Sequence, residues 1–267
     1  MQIIKASMQQ AKDALKHKWH KAILVFCIVA AVLGTKSLLV SLVSFIFSQG
    51  MSSLYATVFT TVLGLAAVSV ELFGFCPFYV GVARWLWQVV LGADEPFDTV
   101  FYYYETKSDY KKAIEISFNF IWRICGYFLL SGVPFIATTM AKNLVLSSAY
   151  FGTVIKTIVF FVWILFAVLG AVLFIILISR HFLVLPVIFS DDKLDIYDAF
   201  KLSSIIAKGK ISSFMYMVLR FIPLLLLCAL AIPMIWVLPY FATSILSYSK
   251  SVIDEFKSAY SRTENQP

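Results

Sequence analysis

Residues 157–179 read TIVFFVWILFAVLGAVLFIILIS, a run of 23 residues without a charged side chain. At a rise of about 1.5 Å per residue, a helix of this length crosses the hydrocarbon core of a bilayer, which is roughly 30 Å thick. Other long apolar runs follow the same pattern, and short segments between them hold most of the charged residues. The sequence therefore predicts an all-α, polytopic membrane helix bundle.

The composition supports this class. Hydrophobic residues make up 61% of the 267 residues, charged residues 14%, and the mean hydropathy is +0.87. Soluble domains have a much lower apolar share, because water would contact the excess apolar surface. The net charge of +7 comes from basic residues that flank the apolar runs. This placement predicts anionic lipid headgroups as partners and argues against nucleic acid.

The apolar runs predict six transmembrane helices. The first four correspond to residues 22–47, 54–91, 113–139 and 154–189. Residues 211–248 are read as two short spans, with Pro233 and Pro239 at the turn between them. The run at 54–91 is long enough to raise the question of two crossings. One helix, kinked near Glu71 and Pro77, is favoured because two crossings would place the next Lys-rich loop outside.

The distribution of basic residues predicts the orientation. Of the 22 Lys and Arg residues, 17 fall on the side that holds both termini, which the positive-inside rule assigns to the cytoplasm. We divide the chain into a basic amphipathic segment on the membrane surface (1–21), a transmembrane domain (22–249) and a cytoplasmic tail (250–267). A signal peptide is the competing interpretation of the N-terminus, but no clean cleavage site interrupts the apolar run.

Two cytoplasmic loops contain short amphipathic stretches, at residues 97–106 and 196–207. Both are predicted as interfacial helices, with Phe101 and Phe200 facing lipid or the bundle. Arg84, Arg180 and His181 lie at the ends of apolar runs. We expect these side chains to contact lipid headgroups or a protein partner, and membrane anchoring is the simpler of the two roles.

Three charged residues are predicted to lie near the bilayer centre: Glu71, Arg123 and Arg220. A charge at the bilayer centre costs about 2.5 to 3.5 kcal/mol on insertion scales, so such groups normally pair inside a bundle. A network of Glu71 with Arg123 or Arg220 is the sharpest structural hypothesis from the sequence. Its members either hold helices together or line a path for a substrate or protons, and the first role is favoured.

No motif predicts catalysis, a cofactor or a metal site. The four cysteines lie in apolar runs without paired spacing, which is typical of small packing residues. A structural or accessory membrane component is therefore the leading function. A transporter or permease subunit, docking a cytosolic partner through the short cytoplasmic helices, is the alternative. An enzyme that acts on lipid through Arg180 and His181 ranks third.

Several short motifs in the second half carry a family resemblance. They are RHFLVLP at 180–186, DAFKLSS at 198–204, AKGK at 207–210 and WVLPY at 236–240. Together they resemble a bacterial multi-pass membrane family known as domain of unknown function nine-seventy-five, over residues 70–256. His181 departs from the aromatic residue expected there, and the tail lacks a strong acidic cluster. The resemblance implies a bacterial inner-membrane protein and no particular activity.

Overall fold

The computed structural model describes residues 2–48, 53–148, 150–191, 193–228 and 233–264, and this part of the chain is helical without strands. The helices are α1 (Gln2–Leu15), α2 (Trp19–Ser48), α3 (Ser53–Val70), α4 (Cys76–Leu91), α5 (Lys107–Ser147), α6 (Thr153–Ser179), α7 (Val184–Ser190), α8 (Ile196–Ala207), α9 (Ile211–Leu227) and α10 (Met234–Glu264). A π-helical turn, Glu71–Phe75, joins α3 to α4, and a 3₁₀ helix, Phe97–Tyr104, precedes α5.

Four helical segments are long and apolar enough to cross a membrane. They are Trp19–Ile46, Thr57–Leu91, Lys107–Ser147 and Thr153–Ser190, and they overlap the first four predicted spans. The segment Thr57–Leu91 is one helical stretch, as expected from the sequence. A fifth span results only if α8 and α9, which meet at an angle of 86°, are counted as one broken helix.

The last two predicted spans take a different form. The helix α9 has 17 residues, and α10 continues through residues 250–264 of the predicted tail. The two helices pack against each other, with the Phe221 ring centroid 5.3 Å from that of Tyr240. A helix of 17 residues is about 26 Å long, slightly short of the bilayer core. The described residues therefore include four helices that are long and apolar enough to span a membrane, and the six spans stay a prediction.

One face of the first helix packs against the protein, and the position of the N-terminal segment on the membrane surface stays a prediction. α1 packs along α10, and the hydroxyl of Tyr240 donates a hydrogen bond to the carbonyl of Met8. The contact face of α1 consists of Ile4, Ser7, Ala11 and Leu15. Small buried side chains on α10, Thr243, Ser244 and Ser247, accompany this contact. Small residues let two helices approach closely, so the amphipathic face of α1 packs on protein.

A single hydrophobic core joins α1, the start of α2, α4, the 3₁₀ helix, the start of α5, and α7 to α10. We call these elements the packed region. Within it, α4 and the 3₁₀ helix lie so close that a Cβ atom on Gly81 would be 2.0 Å from the carbonyl oxygen of Val100. Only glycine fits there without displacement of the backbone. Short helices occupy both predicted cytoplasmic stretches, and their interfacial position stays a prediction.

Two helical hairpins extend from the packed region. Residues 30–48 and 53–70 form the first hairpin, and residues 124–147 and 153–178 form the second hairpin. Apart from Ser131, the side chains described in these ranges are exposed or half-buried. The second hairpin is closed by Trp163, whose indole donates a hydrogen bond of 2.8 Å to the Thr139 hydroxyl. The long apolar helices of this membrane protein thus contact few residues outside their own hairpin.

Candidate functional site

Glu71 pairs with a residue outside the predicted network. Its carboxylate forms a salt bridge with the ammonium of Lys36, which also donates a hydrogen bond to it. Both side chains are mostly shielded, with exposed fractions of 30% for Lys36 and 24% for Glu71. Lys36 lies on α2, and Glu71 directly follows α3, the neighbour of α2 in the first hairpin. Hairpin geometry therefore supplies the countercharge, and neither Arg123 nor Arg220 forms a salt bridge with Glu71.

The π-helical turn that begins at Glu71 follows from the proline at position 77. Proline has no backbone N–H, so the carbonyl of Phe73, four residues earlier, loses its helical donor. The hydroxyl of Tyr110 donates to that carbonyl oxygen at 2.6 Å, and the hydroxyl of Tyr104 donates to the neighbouring carbonyl of Gly74. Two tyrosines thus replace backbone donors at the point where the first hairpin enters the packed region.

Arg123 belongs to a second polar group, at the edge of the packed region. Its guanidinium donates a hydrogen bond of 2.9 Å to the side-chain oxygen of Asn119 and lies 3.9 Å from the ring centroid of Phe200. The Phe200 ring also contacts the His181 ring edge to face, at 5.4 Å between centroids. The structure therefore joins three predicted site residues, Arg123, His181 and Phe200, although they come from three separate segments.

His181 is held on its other side by Tyr127. The Tyr127 hydroxyl and His181 Nε2 are 2.6 Å apart, and the two rings are stacked. The other ring nitrogen, Nδ1, is buried without a hydrogen-bond partner among the described residues. Tyr127 lies one helical turn after Arg123, so both side chains project from the same face of α5. That spacing was visible in the sequence, but nothing in the sequence identified the face that meets His181.

The remaining predicted site residues are dispersed. The Arg220 guanidinium lies 5.3 Å from the Tyr216 ring centroid, one turn earlier on α9, and the Arg84 guanidinium lies 4.0 Å from the Tyr102 ring. Arg180 is exposed, and its carbonyl accepts a hydrogen bond from Ser203. Phe101 is 44% exposed, whereas Phe200 is 2% exposed. Only Phe200 is therefore a buried anchor of the packed region.

Two cavities border these polar groups. One of about 430 Å³ is lined by Lys36, by apolar residues of α2 and by Phe75. A smaller one of about 200 Å³ lies between α4 and α5 and includes Cys76, Tyr79 and Ser117. Most of the lining of both is apolar. No group of three or more His, Cys, Asp or Glu side chains that could hold a metal ion occurs among the residues that the structure describes.

Comparisons with known proteins add no assignment. No family model, curated protein or solved structure matches this chain. The resemblance of the C-terminal half to domain of unknown function nine-seventy-five therefore stays a prediction.

Proposed function

We propose that this protein is a structural or accessory component of a cell membrane, without catalytic activity. The observation that carries the proposal is the pairing of Lys36 with Glu71 across the first hairpin. A single charge in the membrane is costly, and a matched pair removes most of that cost while it fixes one helix against another. Arg123 is likewise engaged by Asn119 and Phe200. These contacts support a role in which the intramembrane charges stabilise the packing of one helix against another.

The proposed topology places both termini in the cytoplasm, with six segments that enter the membrane. Four are the long apolar helices. The other two are α9, which enters the membrane from the cytoplasm, and the first half of α10, which leads the chain back to the cytoplasm. The excess of basic residues at both termini and in the internal loops supports this orientation. Single-cysteine labelling of intact cells should modify position 143 from outside and leave positions 98 and 195 protected. Gln49, between the first two spans, should also be modified from outside, and it lies outside the described residues.

A transporter or permease subunit is the second candidate, and one observation favours it. Lys36 lines a cavity of about 430 Å³, which is large enough for a small ligand. The predicted docking of a cytosolic partner through the short helices would use the part of their surface that the chain itself does not cover. Val100 and Phe200, one from each helix, are buried in the chain itself, and Phe101 is 44% exposed.

A double-mutant cycle on Lys36 and Glu71 separates the two functions. If the salt bridge stabilises the fold, Glu71→Gln leaves the charge of Lys36 without its partner, and we expect a loss of about 2 kcal/mol in unfolding free energy. Lys36→Met combined with Glu71→Gln should recover most of that loss, because no uncompensated charge remains. Thermal unfolding of the full chain in nanodiscs measures both effects, with Glu105→Gln on the exposed surface as the control.

The opposite pattern would favour the transporter. One such result is a coupling energy near zero between Lys36 and Glu71. The second is that a cysteine at position 35 becomes reactive toward a water-soluble thiol reagent in the Glu71→Gln variant. Together they would indicate a water-accessible substrate path instead of a structural salt bridge. Thr35 lines the same cavity as Lys36, so its accessibility reports directly on water in that space.

A further inference from the structure

A cavity beside α1 is lined by one basic side chain and by aromatic and aliphatic side chains. It measures about 320 Å³ and is lined by Lys12, Trp19, Leu224, Trp236, Val237 and Tyr240. These residues come from α1, α2, α9 and α10, so only the folded chain assembles them. Trp and Tyr favour the headgroup level of a bilayer, and aliphatic residues favour its hydrocarbon.

One side of this cavity is basic. Lys5 and Lys12 are seven residues apart on α1, which places them on one stripe of the helix, away from its buried face, and Lys16 directly follows the helix. All three side chains are exposed. Lys12 forms no salt bridge or hydrogen bond with another side chain that the structure describes. Its ammonium is therefore available to an anion, and the flanking lysines raise the local positive potential.

The other side of the cavity is apolar. Leu226 and Leu227 at the end of α9, and Met234 and Trp236 at the start of α10, are exposed. A ligand that fills the cavity and extends along this surface must have an anionic head and a hydrocarbon tail. Phospholipids have this amphipathic form, whereas a soluble phosphate compound has no hydrocarbon tail to contact the apolar side of the cavity.

We propose that this cavity binds an anionic phospholipid. Lys12 pairs with the headgroup phosphate, Trp19 and Trp236 flank the glycerol level, and an acyl chain lies along Leu224 and Val237. The burial of α1 against α10 gives the site its shape, because it fixes Lys12 beside Trp236. The proposal depends on the membrane assignment alone and is independent of the structural role proposed for Lys36 and Glu71.

Native mass spectrometry of the full chain in detergent can test the site with two defined probes. Delipidated protein is titrated with phosphatidylglycerol or with phosphatidylcholine of the same acyl chains. We expect tighter binding of the first phosphatidylglycerol molecule. Lys12→Gln should weaken that binding about fivefold, the usual contribution of one basic residue near an anionic surface, and leave phosphatidylcholine unchanged. Lys12→Arg should retain the preference. Lys201→Gln, an exposed lysine on α8, is the matched control.

The apolar part of the site has its own variants. Trp236→Ala should weaken the binding of both lipids, because the ring contacts the part of the molecule that they share. Trp122→Ala, which removes an exposed indole on α5, should weaken neither. Equal binding of the two lipids, or equal losses for Lys12→Gln and Lys201→Gln, would overturn the proposal. Displacement of phosphatidylglycerol by millimolar inorganic phosphate would assign the site to a soluble anion and overturn it as well.

Discussion

The packed region and the two hairpins are both rich in apolar residues, yet their side chains have opposite surroundings. In the packed region Leu183 is completely buried, whereas Leu38 of the first hairpin is 72% exposed. The whole chain exposes 16321 Å², and a compact soluble protein of the same mass would expose about 12,000 Å². This difference indicates that lipid surrounds the hairpins, because contact of an apolar side chain with lipid has no hydrophobic free-energy cost.

Truncation of one leucine in each region should give the largest difference in stability between the packed region and the hairpins. Leu183→Ala removes a fully buried side chain, and we expect a loss of about 3 kcal/mol in unfolding free energy, as for other buried leucines. Leu38→Ala should change stability by less than about 0.5 kcal/mol, the usual range for an exposed position. Thermal unfolding in nanodiscs measures both. Similar losses for the two variants would mean that the hairpins pack against protein in the membrane.

An added methyl group tests packing from the opposite direction. Gly81→Ala places a Cβ atom 2.0 Å from the Val100 carbonyl oxygen, so the 3₁₀ helix must shift. We expect a loss of about 2 kcal/mol, typical of overpacking. Gly64→Ala on α3 is the control, because no atom lies within 4 Å of its Cβ position, and alanine favours the helix. A stable Gly81→Ala variant would refute the close approach of α4 and the 3₁₀ helix.

The boundary between the two regions should show the smallest effect. Tyr110→Phe removes the hydroxyl that donates to the Phe73 carbonyl, so we expect a loss of about 1 kcal/mol. Tyr197→Phe, at an exposed position on α8, is the matched control and should be neutral. Unfolding of the two variants under the same conditions gives the difference. If both were neutral, the turn at Glu71–Phe75 would not depend on its tyrosine donors.

Several local features were readable from the sequence, because they depend on neighbouring residues. The predicted helix at 196–207 coincides with α8, and the irregularity expected near Glu71 and Pro77 coincides with the π-helical turn. The first four spans also match in position. Each of these features follows from local hydropathy, from the proline without an N–H donor, or from Asp195, which caps α8 by accepting a hydrogen bond from the Tyr197 backbone N–H.

Contacts between distant segments could not be read in the same way. Glu71 had several possible countercharges, and the sequence suggested an arginine, whereas the hairpin brings Lys36 to it. The basic amphipathic pattern of α1 is typical of a surface helix, but α10 covers its apolar face. An amphipathic pattern predicts that one face will be covered without identifying what covers it.

The sequence by itself determined that this is a helical membrane protein, because the length and apolar character of a run decide whether it can cross a bilayer. It also located the residues that are expensive to bury. Only the tertiary structure decided how those residues are partnered: Lys36 with Glu71, and Arg123 with Asn119 and Phe200. The physical reason is that hydropathy belongs to single segments, whereas a salt bridge or a ring contact depends on the rotation and crossing of helices that are distant in the chain.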